Sequence, residues 1–461
     1  MPAARSPIRA EIRATLALAA PLAGANLAQM AMGLTNAVAV GRLGGSALAA
    51  AGLGAGLYFT LVMVCQGVLL AVAPLAAHAL GAEDRAAAAR IAGAGMLLAA
   101  LLALPVFALL TVAPQLLVLL GYEKRLAADI ADFLSAIRWG SPAFLIFTVL
   151  RAMLSAASRA RPIMVVLLFG VPANAALNWV LVFGHLGLPP LGIAGSGCAT
   201  AIIQWLMVLG LAGYMAIIPT GPKLRFGFRG PGEFGRIVRV GLPISGLLAL
   251  EVGVFNGTGI LMGLLGADAL GAHQLAMNFA SLTFMVPLGI AQAATVRVAY
   301  ELGRGERMAA RRAGFVALAS GGVLMLAPCA SMLAFPRAIA GIYLDLADPG
   351  NHGTAAIAVQ LLAIAALFQV FDGIQVIAVG ALRGYRDTGV PMLIAAFGYW
   401  GAGFAVSWAL AFPLGYGAPG LWWGLALGLA IVALLLSLRF HHRSGVAYER
   451  ALTAEPQPLP G

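Results

Sequence analysis

The stretch GLPISGLLALEVGVFNGTGILMGLLG, residues 241–266, holds one ionisable side chain, Glu251, in 26 positions. Wound as a helix it would reach about 39 Å, enough to cross the roughly 30 Å hydrocarbon layer of a bilayer. The segment 222 positions earlier, AAPLAGANLAQMAMGLTNAVAVGRLG at 19–44, repeats its landmarks: Pro21 answers Pro243, Gly24 Gly246, Gly41 Gly263 and Gly44 Gly266. The same offset goes on to pair Gly67 with Gly289, Gly81 with Gly303, Asp84 with Glu306, Arg85 with Arg307 and Arg90 with Arg312. Two copies of one apolar plan lie in this chain.

The rest of the 461 residues follows the same plan. Hydrophobic residues make up 61% and charged residues 10%, against about a quarter charged in a soluble domain. Apolar windows long enough to span fall at 14–36, 48–73, 91–113, 129–150, 162–183, 191–216, 240–263, 269–294, 313–334, 355–381, 389–411 and 417–438. The expected fold is therefore an all-α membrane protein with about twelve transmembrane helices. The 58 glycines suit it, because small residues let helices approach closely in lipid. Cys65, Cys198 and Cys329 are scattered singly, which argues against a disulfide framework or a zinc site.

A net charge of +11 could indicate a nucleic-acid partner, but its placement points elsewhere. With both termini cytoplasmic, all but five of the 28 Lys and Arg fall on the inner side; Arg42, Lys124, Arg125, Arg138 and Arg337 are the remainder. The charge is a topology signal in a multi-pass protein of the plasma (inner) membrane, and no nucleic acid is expected. Of the five, Arg138 alone sits deep in a window, and it reads as a side chain snorkelling towards the outer boundary. The three arginines before ATLALAAPLAGA resemble a secretory signal, yet cleavage there would destroy the symmetry of the repeat.

Six spans per repeat return the chain to one side of the membrane, so the halves are expected to form parallel, pseudo-symmetric six-helix lobes. The offset drifts to 229 at Pro162 and Pro391 and to 228 at Gly192 and Gly420, as small loop insertions require. The divisions expected are an N-terminal lobe at 1–216, a cytoplasmic linker at 217–239, a C-terminal lobe at 240–438 and a cytoplasmic tail at 439–461.

Only two acidic residues lie deep in these windows, Glu251 and Asp372. A carboxylate at a helix centre costs about 2.5–3.5 kcal/mol on insertion scales and usually faces a cavity, an ion or a proton path. Phe255 lies one turn beyond Glu251, and Gln369, Asp372 and Gln375 form a polar stripe. Gln274 and Asn278, also one turn apart, offer carbonyl oxygens that could complete a hard-cation shell. In the first half Asn26, Gln29 and Asn36 share one face, while Asn174 and Asn178, and Ser196, Thr200 and Gln204, repeat at one-turn spacing. These first-half groups are neutral and also suit helix-to-helix packing.

With these residues in view, the chain resembles the multidrug and toxic compound extrusion (MATE) transporters, most closely the NorM-like branch. The resemblance rests on MGLTNAVAVGRLGG, on ALGAEDR and ELGRGER after the second and eighth spans, and on Glu251, Gln274, Asn278 and Asp372 in order. It implies a monomeric antiporter, not an enzyme, exporting organic and mainly cationic compounds in exchange for sodium ions or protons. It also implies cation coupling at Glu251, Asp372, Gln274 and Asn278, with possible Na+ at the two carboxylates. A substrate cavity would involve Phe255, Phe368, Gln29, Asn36, Asn174, Asn178, Gln369 and Gln375. Two positions depart from the family pattern: Asn36, where many members carry aspartate, and Phe368, where some carry tyrosine.

No GxxxxGK[ST] loop is present, so direct ATP drive is not expected, nor is any cofactor beyond the coupling ion. An alternative keeps the fold and changes the cargo to a lipid-linked precursor, as in related flippases, but that cargo would need deep basic residues for pyrophosphate. An intramembrane enzyme would need a ligand set that the six histidines, mostly in loops or the tail, do not supply.

Overall fold

The structure is a computed structural model and describes residues 7–217 and 231–452. Among the described residues, twelve helices long and apolar enough to cross a membrane follow one another. They are α1 (Ile8–Gly41), α2 (Gly45–Gly81), α3 (Arg85–Leu119), α4 (Lys124–Ala156), α5 (Arg161–Phe183) and α6 (Gly192–Ile217). The second six are α7 (Gly232–Leu264), α8 (Ala267–Gly303), α9 (Arg307–Ala334), α10 (Pro349–Gly384), α11 (Gly389–Ala411) and α12 (Gly417–Val446). Every regular element among the described residues is helical, as the apolar windows require, because a lipid-facing backbone must satisfy its own hydrogen bonds. Most of the sequence linker, with Lys223, Arg225 and Arg229, lies outside the described residues, as does the end of the tail.

Irregular turns interrupt several of these helices, α4 and α11 among them. α4 passes through a 3-10 turn at Arg138–Gly140, and α11 through a π-helical segment at Ala396–Phe404. Such turns change the direction in which side chains leave the helix, and π segments are frequent at functional sites.

The internal repeat is written in the backbone as well as in residue identity. Gly44 and Gly266, 222 positions apart, hold φ of 119° and 115° between the first and second helices of their halves, a region that only glycine enters freely. At the next turn Glu83 and Gly305 both take positive φ, 58° and 81°. The N-caps of α3 and α9, Asp84 and Glu306, then adopt nearly the same angles. Asp84 accepts a hydrogen bond from the Ala87 amide at 2.7 Å, satisfying a free donor of the first turn.

The chain divides into two compact units, one of residues 24–245 and one of residues 1–23 with 246–461. The division thus falls inside α1 and α7, three residues beyond Pro21 and Pro243, and differs from the sequence boundaries at 216 and 240 by these two helix starts. Close backbone packing is the cause. A Cβ on Gly289 would lie 2.7 Å from the Ala23 nitrogen, and a Cβ on Gly67 would lie 2.5 Å from the Ser245 Cα. Gly67 pairs with Gly289 and Ala23 with Ser245 at the 222 offset, so both units bind a helix start by the same small-residue contact.

Charge fastens the same segments. Glu11 lies before the first sequence window, yet it is buried in α1, where Arg297 donates to its two oxygens at 3.0 and 2.8 Å. Glu301 adds a second carboxylate to Arg297 at 3.2 Å. Glu233, the repeat mate of Glu11, lies 3.9 Å from Arg90. Within the second unit α8 and α10 approach through Gly380 and Gly384: a Cβ on Gly380 would fall 2.4 Å from the Ala291 oxygen, and Thr295 donates to the Gly380 carbonyl at 2.8 Å.

Candidate functional site

The two carboxylates singled out by the sequence belong to one unit. On α10 the order Phe368, Gln369, Asp372, Gln375 places four side chains along one stripe, and all four are buried. Gln369 is anchored: its amide donates to the Thr283 hydroxyl at 2.7 Å and to the Ala280 carbonyl at 3.2 Å. Its neighbours are not. Asp372 Oδ1, both amide atoms of Gln375 and the Gln369 carbonyl oxygen are buried without a hydrogen-bond partner. Buried polar atoms are almost always paired, so a group of such atoms on one helix face is a candidate site for a water molecule, a proton or an ion.

A fifth side chain completes the group, and sequence reasoning missed it. Tyr399 is 3% exposed, and its hydroxyl is turned towards the Gln375 amide without a hydrogen bond of good geometry. It comes from the π-helical segment of α11, which is fixed against α7 by its next residue: Trp400 Nε1 donates to the Leu250 carbonyl at 3.1 Å. Gly253 and Gly257 make room for that segment; a Cβ on either would lie 3.1 or 3.2 Å from the rings of Trp400 and Phe404. Glu251, half-buried on the same stretch of α7, is within electrostatic reach of Asp372, Tyr399 and Arg383. Carboxylate, carboxamide and phenol oxygens form a donor set suited to a proton or a hard monovalent cation.

An aromatic row backs the site. Phe255 and Phe368 meet edge to face at 6.0 Å, Phe368 and Trp422 lie 5.4 Å apart, and the Trp422 indole donates to His273 Nδ1 at 3.2 Å. Phe368 is 1% exposed, so it supports Phe255 from behind and Phe255 carries the accessible ring. Gln274 and Asn278 stand exposed on one face of α8, and no hydrogen bond among the described residues links them to either carboxylate.

The other unit holds a neutral network. The Asn36 side-chain oxygen accepts from the amides of Asn174 and Asn178, both at 2.8 Å, and its amide donates to the Thr200 hydroxyl at 2.9 Å. Asn174 also donates to Thr35 at 2.8 Å. The structure therefore joins Asn36, Asn174, Asn178 and Thr200, while Gln29, half-buried on α1, lies outside this network. Arg151, a further group that the sequence reading left on the inner side, donates to Asn26 Oδ1 within this unit.

Comparison with known proteins gives one consistent result. A family model described as MatE matches residues 21–180 and 243–409. The chain is 44% identical to the multidrug resistance protein NorM of Burkholderia vietnamiensis over 436 residues, 93% of each chain. It is 40% identical to the probable multidrug resistance protein NorM of Pseudomonas aeruginosa, over 98% of this chain and 94% of that one. Among solved structures, the eukaryotic transporter AtDTX14 superposes with a TM-score of 0.83 at 21% identity, over 96% of this chain and all of that one. A multidrug resistance transporter of the MOP superfamily in an outward-facing conformation superposes at 0.86 and 18% identity, over 95% and 97%.

Proposed function

The chain belongs to the MatE family, and from that membership we propose that it exports organic cations from the cell in exchange for a monovalent cation, Na+ or H+. It is a multi-pass membrane transporter and not an enzyme, and the NorM relatives support small-molecule drugs as its cargo. The observation that carries the exchange reading is the buried group of Asp372, Gln375 and Tyr399, with oxygens that lack hydrogen bonds of good geometry, and half-buried Glu251 within electrostatic reach of it. Carboxylates removed from water need compensating positive charge, and Arg383, within electrostatic reach of Glu251, can offset one carboxylate of the two. A proton, a sodium ion or a cationic drug can each supply the remainder, and occupancy by one weakens the site for another. Export follows when the cation enters from outside and displaces the drug there, and the drug re-enters the site from inside.

The distribution of Lys and Arg supports cytoplasmic termini, so drug loads from the cytoplasmic side and the cation from outside. Phe255 adds an aromatic face for flat lipophilic cations. The chain is proposed to act as a monomer. The deciding experiment is uptake and release of a cationic dye in proteoliposomes, with sodium and proton gradients imposed separately. Gradient-driven dye movement supports the reading; dye movement indifferent to both gradients, or translocation of a lipid-linked precursor instead, overturns it.

A further inference from the structure

Arg138 carries a charge inside a spanning helix, in the unit that lacks the carboxylate pair. It opens the 3-10 turn of α4 and is half-buried. Its guanidinium stacks on the Phe107 ring at 4.9 Å, and Nη1 donates to the Thr111 hydroxyl at 3.0 Å. That uses one of its five N–H donors. No carboxylate pairs with it among the described residues, and Nε is buried without an acceptor. Asp132, the nearest acid along its own helix, is exposed, and its carbonyl accepts from Ser135.

Depth and surroundings say what could neutralise it. Thr111 lies eight residues, about 12 Å, inward of the end of α3 at Leu119. The headgroup layer takes about 5–8 Å of that distance on each side of the hydrocarbon core. Counted from the end of α3, Thr111 lies within about one arginine side-chain length of the polar layer, so the guanidinium bonded to it is within snorkelling reach of a lipid phosphate. Beside it, Trp139 meets Phe107 edge to face at 5.0 Å and forms one wall of an open groove of about 600 Å³ between α4 and α6. Cys198, Ala201, Ile202 and Trp205 line its α6 side, and Trp205 Nε1 donates to the Trp139 carbonyl at 3.0 Å, tying the two walls together.

We propose that Arg138 and the Trp139–Trp205 groove form a binding site for an anionic phospholipid, with the phosphate at the guanidinium and an acyl chain in the groove. Charge complementarity selects the headgroup: a zwitterionic lipid brings its own cation and leaves the arginine uncompensated. Thr111 and Phe107 hold the guanidinium in place and do not neutralise it.

The test is lipid binding to the purified full-length protein by native mass spectrometry. Phosphatidylglycerol is compared with phosphatidylcholine of the same acyl chains, for the wild type, Arg138→Gln, Arg138→Lys and Ala194→Phe. Arg138→Gln is expected to weaken phosphatidylglycerol about fivefold, the value of one basic side chain at an anionic surface, and to leave phosphatidylcholine unchanged. Arg138→Lys keeps most of the binding, and Ala194→Phe, which fills the groove, weakens both lipids. Equal phosphatidylglycerol binding in the wild type and Arg138→Gln overturns the proposal, as does a parallel fall of both lipids in Arg138→Gln. Unchanged binding in Ala194→Phe overturns the acyl-chain assignment. Monodisperse elution of each variant distinguishes these outcomes from misfolding.

Discussion

Asp372 and Gln375 occupy successive turns of one face of α10, and the Oδ1 of the first and both amide atoms of the second are buried without a partner. An uncompensated buried acid destabilises a fold, whereas an amide of the same shape does so less. Asp372→Asn is therefore expected to insert normally and to melt at the same or a higher temperature in detergent. Gradient-driven dye efflux should fall at least about tenfold, because an amide neither exchanges a proton nor balances an ion. Glu251→Gln should behave alike. Wild-type sodium or pH dependence of transport in both variants would remove the carboxylates from the mechanism.

Tyr399 supplies a hydroxyl where α10 offers only the ring of Phe368. If that phenol oxygen serves the bound cation, Tyr399→Phe should fold as the wild type does, since the ring and its packing are kept. A hydrogen bond to a charged group contributes about 1.5–3 kcal/mol, so the concentration of cation giving half-maximal exchange should rise about tenfold or more. Drug affinity in the absence of the cation should change much less. Equal shifts in both quantities would assign Tyr399 to packing alone.

The sequence made some of this site legible and concealed the rest, for physical reasons. Glu251 and Asp372 stood out because lipid makes any charge in an apolar window exceptional. The twelve helices and the repeat were readable from hydropathy and glycine spacing, and the matching φ angles at Gly44 and Gly266 show the same symmetry in the backbone. Tyr399 was not readable: a tyrosine in an apolar window is ordinary, and a π segment turns it to a face that a regular helical projection does not give. The pairing of Glu11 with Arg297 bridges 286 positions, beyond any local pattern. The amide spacing of Asn174 and Asn178 suggested a shared face, but only the fold brings Asn36 and Thr200 to it.

That long-range pairing leads to a stability prediction. Glu11 is 5% exposed and accepts both hydrogen bonds of the Arg297 fork, so Glu11→Gln leaves the arginine with Glu301 alone. Removing one member of a buried ion pair typically destabilises by about 3–5 kcal/mol; with Glu301 still present, a loss near 2 kcal/mol is expected here. A lowered melting temperature in detergent should report it. Glu11→Gln combined with Arg297→Met should recover much of the loss, because the orphaned charge is then gone. A double variant less stable than the single one would show that the arginine holds the helix start by other contacts.

Asn36 provides the last test, because its oxygen already accepts two amides at 2.8 Å in a network without charge. Aspartate has nearly the same shape and keeps both of those bonds. At the third contact the Thr200 hydroxyl, which now donates to the Ser196 carbonyl at 2.9 Å, must turn to donate to the carboxylate. Asn36→Asp should therefore fold, and the new carboxylate, held by three donors, should create a second cation dependence of transport that survives in Asp372→Asn. Asn36→Ala instead removes a shared acceptor: the Asn174 amide keeps Thr35 and the Met32 carbonyl, whereas Asn178 keeps only the Asn174 carbonyl and is left with one unpaired N–H, at about 1–3 kcal/mol, so the variant should lower stability and drug binding while sodium or pH dependence persists. Both outcomes follow from coupling through Glu251 and Asp372. The opposite pattern, with cation dependence lost in Asn36→Ala and kept in Asp372→Asn, would move the coupling site to the first unit.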